Sequence, residues 1–236
     1  MGWRQSQGQQ TKRNAAMSAS AGPVVQQVLG KARDAAMRGS QEPTQALPLQ
    51  TWCAQVFDLI EWRRFEAVVE ALFGQAGFDT RTQPCGADGG IDIWLHSRSQ
   101  GGAAVSVVQC KHWTSWKVGV KPVRELRGVM AAHDIARGQF VTTSGYTTDA
   151  QAFASENGIM LHDTVGLLAL IASRTATERQ HLLQVAFEGD YWRPTCASCG
   201  IKLVERRARA SGDAFWGCEN YPKCKSTMAF RTRHTS

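Results

Sequence analysis

The sequence predicts an α/β fold with a mixed central sheet, followed by a small cysteine-bearing module. One pattern predicts the first part. Between residues 51 and 174, apolar stripes at helical spacing alternate with short β-branched runs, in the order α-β-β-β-α-β-α-β-α. Strands alternating with helices build a layered α/β core around a sheet. The second part rests on the cysteines. Four of the seven fall in the last 41 residues, and Cys53, Cys85 and Cys110 are scattered, which is not the pattern of a disulfide framework.

Each element has a local reason. "RRFEAVVEALFGQAGF" puts Phe65, Val68, Val69, Leu72 and Phe73 on one helical stripe, stopped by Gly74 and Gly77. A short strand is expected at Phe78 to Thr82. The segment "GGIDIWLHSRSQGGAAVSVVQCKHW" reads as two strands joined by a loop. "KPVRELRGVMAAHDIA" sets Val123, Leu126, Met130 and Ile135 on an amphipathic face, with Pro122 in the first turn. "GQFVTTS" is a strand, and "TTDAQAFASENG" is a helix capped by Thr147 or Thr148. "GIMLHD" is a further strand and "TVGLLALIAS" a further helix.

The 236 residues suffice for one medium domain and one small one. Residues 1–49 are rich in Gln, Ser, Ala and Gly and are expected to form a flexible tail, with one weak helix around Val24 to Met37. Residues 50–174 form the core, 175–193 a helical linker with a polar helix near Thr177 to Glu188, and 194–236 the cysteine module. No internal repeat is present. The N-terminus is polar, without the apolar stretch of a secretory signal, and the longest apolar run, near Leu167 to Ala172, is far too short for a membrane span. The expectation is a soluble, cytoplasmic protein with no membrane partner.

The net charge of +7 is unevenly spread. Residues 1–50 carry +4 and residues 191–236 carry +6, whereas residues 51–190 carry −3. Basic flanks around a near-neutral body point to a polyanionic partner, nucleic acid first among them, although solubility alone would produce the same asymmetry.

The hairpin raises the chemical question. Side chains alternate along a strand, so Asp92 is expected to point away from Ile91 and Ile93, while Gln109 and Lys111 share a face opposite Val108 and Cys110. If the strands pair, Asp92, Gln109 and Lys111 converge near the strand ends. A buried acid and amine are costly alone and tolerable together, so a structural ion pair is one reading. The other is phosphodiester hydrolysis. A carboxylate can hold Mg²⁺, which neutralises charge growing on the phosphoryl oxygens, and an ammonium can orient water or stabilise the transition state. An amide carbonyl at Gln109 can ligate a hard cation with less charge than an acid would bring. Glu66 and Glu70, one turn apart beside the apolar stripe of the first helix, offer a further acid.

The motifs "RFEAVVEALFGQAGF", "GADGGIDIWL", "VVQCKHW", "VRELRGVMAAHDIARGQFVTTSGYTTDAQAFA" and "GIMLHD" match in order and spacing over residues 60 to 172. In them the chain resembles the Mrr-like, type IV branch of the PD-(D/E)xK restriction endonuclease superfamily. The resemblance implies a three-layer α/β/α core that cleaves DNA with a divalent metal. It implies Asp92 and Gln109 as metal ligands, Lys111 as the catalytic lysine and Glu66 as the helix-borne acid, with Glu70 as second choice. Asp88 falls to the preceding loop. His112, Trp113 and Trp116 read as packing ahead of DNA-facing groups.

Cys196-x₂-Cys199 and Cys218-x₅-Cys224 are separated by 18 residues. The segment "CASCGIKLVERRARASGDAFWGCENYPKCKSTMAF" resembles the C-terminal four-cysteine zinc ribbon of bacterial type I topoisomerases. Four thiolates leave no open coordination position, so Zn²⁺ here is structural and supplies folding free energy that so small a module lacks. A redox Cys-x-x-Cys would leave the second pair unexplained. Arg206, Arg207, Arg209, Lys223, Lys225, Arg231 and Arg233, interleaved with Phe215, Trp216, Tyr221 and Phe230, are expected to meet phosphates and bases, with at least half of the rings packed around the metal instead. Arg206, Arg207, Arg209, Trp216, Lys223 and Lys225 carry the expected DNA contacts.

The reading is a metal-dependent DNA endonuclease of restriction type, directed at DNA that includes modified DNA, and anchored by a zinc ribbon. Its rivals are a repair or junction-processing nuclease and a DNA-binding protein that has lost catalysis. A homodimer or higher oligomer is compatible with it. No ribbon residue has a catalytic role in this reading, so the chemistry of the core is expected to stand without the ribbon.

Overall fold

The computed structural model describes residues 48–82, 90–98, 102–113 and 116–229. The tail with its helix at 24–37, Cys85, Asp88, Phe230, Arg231 and Arg233 lie outside the described residues. The chain runs α1 (Ala54–Leu59), α2 (Trp62–Gln75), β1 (Phe78–Thr82), β2 (Ile93–Ser97), β3 (Ala104–Lys111), α3 (Val120–Ala132), β4 (Gly138–Thr142), α4 (Thr148–Glu156), β5 (Ile159–His162), α5 (Thr164–Ala172) and α6 (Ala176–Ala186). A second group follows, β6 (Leu203–Arg207), β7 (Ala214–Cys218) and β8 (Thr227–Ala229).

The first five strands form one sheet in the order β1-β2-β3-β4-β5. β1, β2 and β3 pair antiparallel, and β3, β4 and β5 pair parallel through the α3 and α4 crossovers, so the sheet is mixed as expected. Its two faces carry separate cores. Ile93, Leu95, Val108, Cys110 and Val141 pack with Phe57, Phe65, Leu72, Leu167 and Leu182 from α1, α2, α5 and α6. Val107 and Phe140 pack with Val123, Leu126, Met130, Ala150 and Ala154 from α3 and α4. Helices cover both faces, which gives three layers.

The helix ends follow side-chain chemistry. Thr147 caps α4 by accepting from the Ala150 N–H, and Asp163 caps α5 by accepting from Gly166. Thr175 and Glu178 form a capping box on α6. α3 presses on the start of β4 so closely that a Cβ at Gly138 would stand 2.6 Å from the Met130 sulfur. A larger side chain there would push Met130 out of its place in the core.

Two elements go beyond the sequence expectation. α1 is an additional short helix that buries Val56 and Phe57. α6, read as a polar linker, buries Leu182, Leu183 and Ala186, and Phe187 after it, in the same core as α2. Its neighbouring leucines make no long apolar stripe, which is why the local pattern reads as polar. No helix among the described residues is long and apolar enough to cross a membrane.

The packing of α6 has a measurable cost. Leu182→Ala should destabilise the core by about 2–5 kcal/mol, as for other buried leucines, in urea unfolding followed by circular dichroism. A linker residue would change the midpoint little.

Candidate active site and cysteine cluster

β2 begins one residue after Asp92, and the alternation expected through Ile91 does not hold. Ile91 packs with the α3/α4 core and Ile93 with the α2 core. The preceding Gly90 has φ +64°, a left-handed turn that resets the register before the strand starts. Asp92 therefore stands at the mouth of the strand. Its Oδ2 accepts from the Cys110 N–H at 2.6 Å, and its own N–H donates to the Val108 carbonyl at 3.0 Å. The carboxylate is held by β3 itself, beside Lys111.

α2 brings Glu66 to the same place. Its apolar stripe is buried against the sheet, and Glu66, between Phe65 and Val68, is only 7% exposed. Arg63, one turn earlier, donates to Glu66 Oε2 at 2.6 Å. Glu70, the alternative acid, instead accepts from the Thr80 hydroxyl on β1 at 3.1 Å. Geometry thus places Glu66, rather than Glu70, next to Asp92.

The electrostatics follow from this crowding. Burial, then the neighbouring Asp92 charge, push the Glu66 carboxyl from an ordinary 4.5 up to about 7, against the pull of Arg63. Burial also raises Asp92, opposed by the Cys110 N–H, Lys111 and Arg63. Two carboxylates that share a poorly hydrated site favour a proton or a cation between them.

Gln109 is 4% exposed, and Val108 and Cys110 on either side of it pack in the α2 core. Its Nε2 lies against Gly90, where a Cβ would stand 3.6 Å away, and its Oε1 has no hydrogen-bond partner among the described residues. With Gly90, Ile91, Trp94, Glu125 and Leu126 it lines a cavity of about 490 Å³. The acidic pair fits a hard cation, whereas the Gln109 amide opens on the cavity beside α3, whose lining does not include Asp92, Glu66 or Lys111.

The residues after Lys111 divide. His112 bonds the Phe57 carbonyl and stacks near Phe65, and Trp113 packs at the edge of the α3/α4 core. Trp116 is 78% exposed, so packing does not account for it. Arg63 and the Cys110 N–H that fixes Asp92 are not among the residues expected from the sequence. A basic residue three before the helix acid was the available signal for the former.

In the C-terminal group, β6, β7 and β8 form a three-stranded antiparallel sheet. The sulfurs of Cys196, Cys199, Cys218 and Cys224 all lie within 4.8 Å of one another. Cys199 and Cys218 are 3.4 Å apart and Cys196 and Cys224 3.7 Å. A tetrahedral zinc holds thiolates at roughly 2.3 Å, which sets sulfurs about 3.8 Å from each other. The cluster fits that ion.

The expected DNA-contacting residues differ in freedom. Arg207, Arg209, Lys223 and Lys225 are exposed. Arg206 is engaged inside the ribbon: it donates to the Cys218 carbonyl, lies over the Tyr221 ring at 5.5 Å and covers Gly217. Trp216 is half-buried against the cysteines and lies 6.2 Å from Trp192, whereas Tyr221 is 60% exposed.

Comparison with known proteins agrees with this division. Residues 57–171 match the profile described as restriction endonuclease, and residues 193–232 match the topoisomerase DNA binding C4 zinc finger. The type IV methyl-directed restriction enzyme EcoKMrr of Escherichia coli K12 is 32% identical over 128 residues, 52% of this chain and 41% of that protein. The uncharacterized protein y4cE of Sinorhizobium fredii is 36% identical over 94 residues, 39% of this chain and 24% of that protein. The chain thus spans less than half the length of these relatives. Among solved structures, the DNA modification-dependent restriction endonuclease AspBHI aligns with a TM-score of 0.43 at 21% identity, covering 55% of this chain and 38% of that one. MspJI in complex with an oligonucleotide aligns with a TM-score of 0.43 at 17% identity, covering 58% and 34%. Residues 57–171 thus match a restriction endonuclease domain of the Mrr type, and residues 193–232 a topoisomerase-type four-cysteine zinc ribbon.

Proposed function

We propose that this protein is a metal-dependent DNA endonuclease of restriction type, and that its ribbon holds the DNA. One observation supports the reading: the buried Glu66 carboxyl lies against Asp92 at the mouth of β2, within reach of the Lys111 charge at the end of β3. Modified DNA is the proposed substrate class, because EcoKMrr is named as methyl-directed.

In this reading Asp92 and Gln109 would hold Mg²⁺, with Glu66 adding negative charge. The cation supplies neutralisation of charge that grows on the phosphoryl oxygens, and it acidifies water. The remaining work belongs to the chain. The Cys110 N–H fixes one oxygen of Asp92, so the carboxylate is held in place without reorganisation. Arg63 steers Glu66 from the same helix. Lys111 brings an ammonium to the scissile phosphate, where it orients water or stabilises the pentavalent transition state. The exposed cations Arg207, Arg209, Lys223 and Lys225 sit on phosphates of the bound duplex. The direct test is Mg²⁺-dependent cleavage of methylated, unmethylated, branched and single-stranded DNA. Preference for branched over methylated duplex would favour junction processing instead.

Three predictions follow from these roles. Lys111→Ala should abolish cleavage while DNA affinity and the unfolding midpoint stay near wild type, since the amine acts on the transition state. Asp92→Ala should also lose cleavage and bind the divalent metal more weakly. Cutting by Lys111→Ala at the wild-type rate would remove that residue from the mechanism.

Gln109→Glu should remain active with an altered metal preference, and Gln109→Leu should be inactive. Activity in the leucine variant would show that the amide is no ligand.

Glu66 binds its proton more tightly in the folded chain than in the unfolded one. Its contribution is therefore full below about pH 4.5 and is lost as pH rises toward 7. Without divalent metal, stability should fall over that window by up to about 1.4 kcal/mol per pH unit. Glu66→Gln should flatten the dependence, and Mg²⁺ should restore stability at pH 8. Urea unfolding at several pH values, with and without Mg²⁺, measures all three.

A further inference from the structure

Glu61 is the most heavily engaged acid among the described residues, and neither the proposed chemistry nor the zinc cluster uses it. It is the N-cap of α2 and is 5% exposed. Four donors reach its carboxylate: the Arg63 N–H at 3.0 Å, the Thr195 N–H at 3.2 Å, the Thr195 hydroxyl at 2.9 Å and the Lys202 ammonium at 3.2 Å. Three of these come from the ribbon end of the chain. The neighbouring backbone repeats the pattern. Glu61 N–H donates to the Tyr191 carbonyl at 2.7 Å, and Trp62 Nε1 donates to the Thr195 carbonyl at 2.8 Å. Thr195 directly precedes Cys196, so the first cysteine of the cluster is joined to the start of α2.

The same helical turn leads into the active site. Glu61 Oε2 holds the Arg63 N–H, and the Arg63 guanidinium holds Glu66. From Thr195 to Glu66 there are two intervening side chains. Undocking the ribbon would strip three donors from a buried carboxylate and release the first turn of α2, on which Arg63 and Glu66 depend for their placement.

We propose that Glu61 is a positioning residue through which the docked ribbon sets the seat of Glu66, so that the cation site of the core depends on a folded ribbon. This rests on reading Glu66, Asp92 and Lys111 as the nuclease centre. It departs from the expectation that the core's chemistry stands without the ribbon.

The test uses the full-length, zinc-loaded protein and the variants Glu61→Gln, Thr195→Val and Thr195→Ser. Binding of Mn²⁺ without DNA is followed by electron paramagnetic resonance, and single-turnover cleavage is measured at saturating DNA. Bound zinc, the unfolding midpoint and the salt dependence of DNA affinity are measured alongside. Glu61→Gln should weaken Mn²⁺ binding and slow cleavage by about tenfold or more, the scale on which groups that orient metal ligands act. Thr195→Val should shift both in the same direction, and Thr195→Ser, which keeps the hydroxyl, should restore them. Zinc content and the salt dependence should match wild type throughout. Wild-type Mn²⁺ affinity and cleavage rate in Glu61→Gln and Thr195→Val, with only a lowered unfolding midpoint, would make Glu61 a staple between ribbon and core and overturn the proposal. A wild-type protein that binds Mn²⁺ and cuts none of the DNA substrates would sink the nuclease reading alone. Weakened Mn²⁺ binding in Glu61→Gln would then still support the coupling.

Discussion

Two carboxylates cannot be pressed together out of water unless something rigid keeps them there. Glu66 comes from a helix layer and Asp92 from the mouth of a strand, so their approach is set by how α2 lies on the sheet. Phe65, Val68, Val69 and Leu72 fix that layer through close packing, and the Cys110 N–H fixes the aspartate. The apolar surroundings do two jobs at once. They lock the geometry and withhold solvent, which leaves the acids short of positive charge. A binding site for a hard cation is the chemical expression of that shortage.

Much of the fold was legible because its signals are local. The stripe over Phe65 to Phe73, the β-branched run before Gln109 and the caps at Thr147 and Asp163 act within a few residues of themselves. The cysteine cluster was legible for the same reason, since ligand spacing within each pair is a short-range property. What the local pattern could not decide depends on other parts of the fold and on one turn. Glu66 and Glu70 share a helix flank, and only Thr80 on β1 and Asp92 before β2 separate their surroundings. Asp92 broke the expected alternation because Gly90 turns the chain just upstream. Arg206 looked like a free cation in sequence, yet Gly217 on the paired strand leaves room for its side chain to lie across the ribbon.

Glu61 shows the limit most clearly. In the sequence it is one acid ahead of a tryptophan and two arginines, with nothing to mark it. Its partners Thr195 and Lys202 lie 134 and 141 residues away. A buried carboxylate at a helix N-terminus is favoured by the helix dipole, and the ribbon's donors complete its solvation. The matched family segments begin and end on either side of α6, yet this helix packs into the nuclease core and delivers the chain to the contact.

That route has a consequence for how such a protein would handle a duplex. An anchor on a slack tether lets a catalytic head sample many phosphates, at an effective concentration set by tether length. Here the segment between core and ribbon is itself packed, through Leu182, Leu183 and Phe187, and the far end is bolted at Glu61. With the ribbon seated on DNA as proposed, the distance from grip to blade is a property of the fold. The protein would act as a caliper, and its cut would fall at a set offset from wherever the ribbon takes hold.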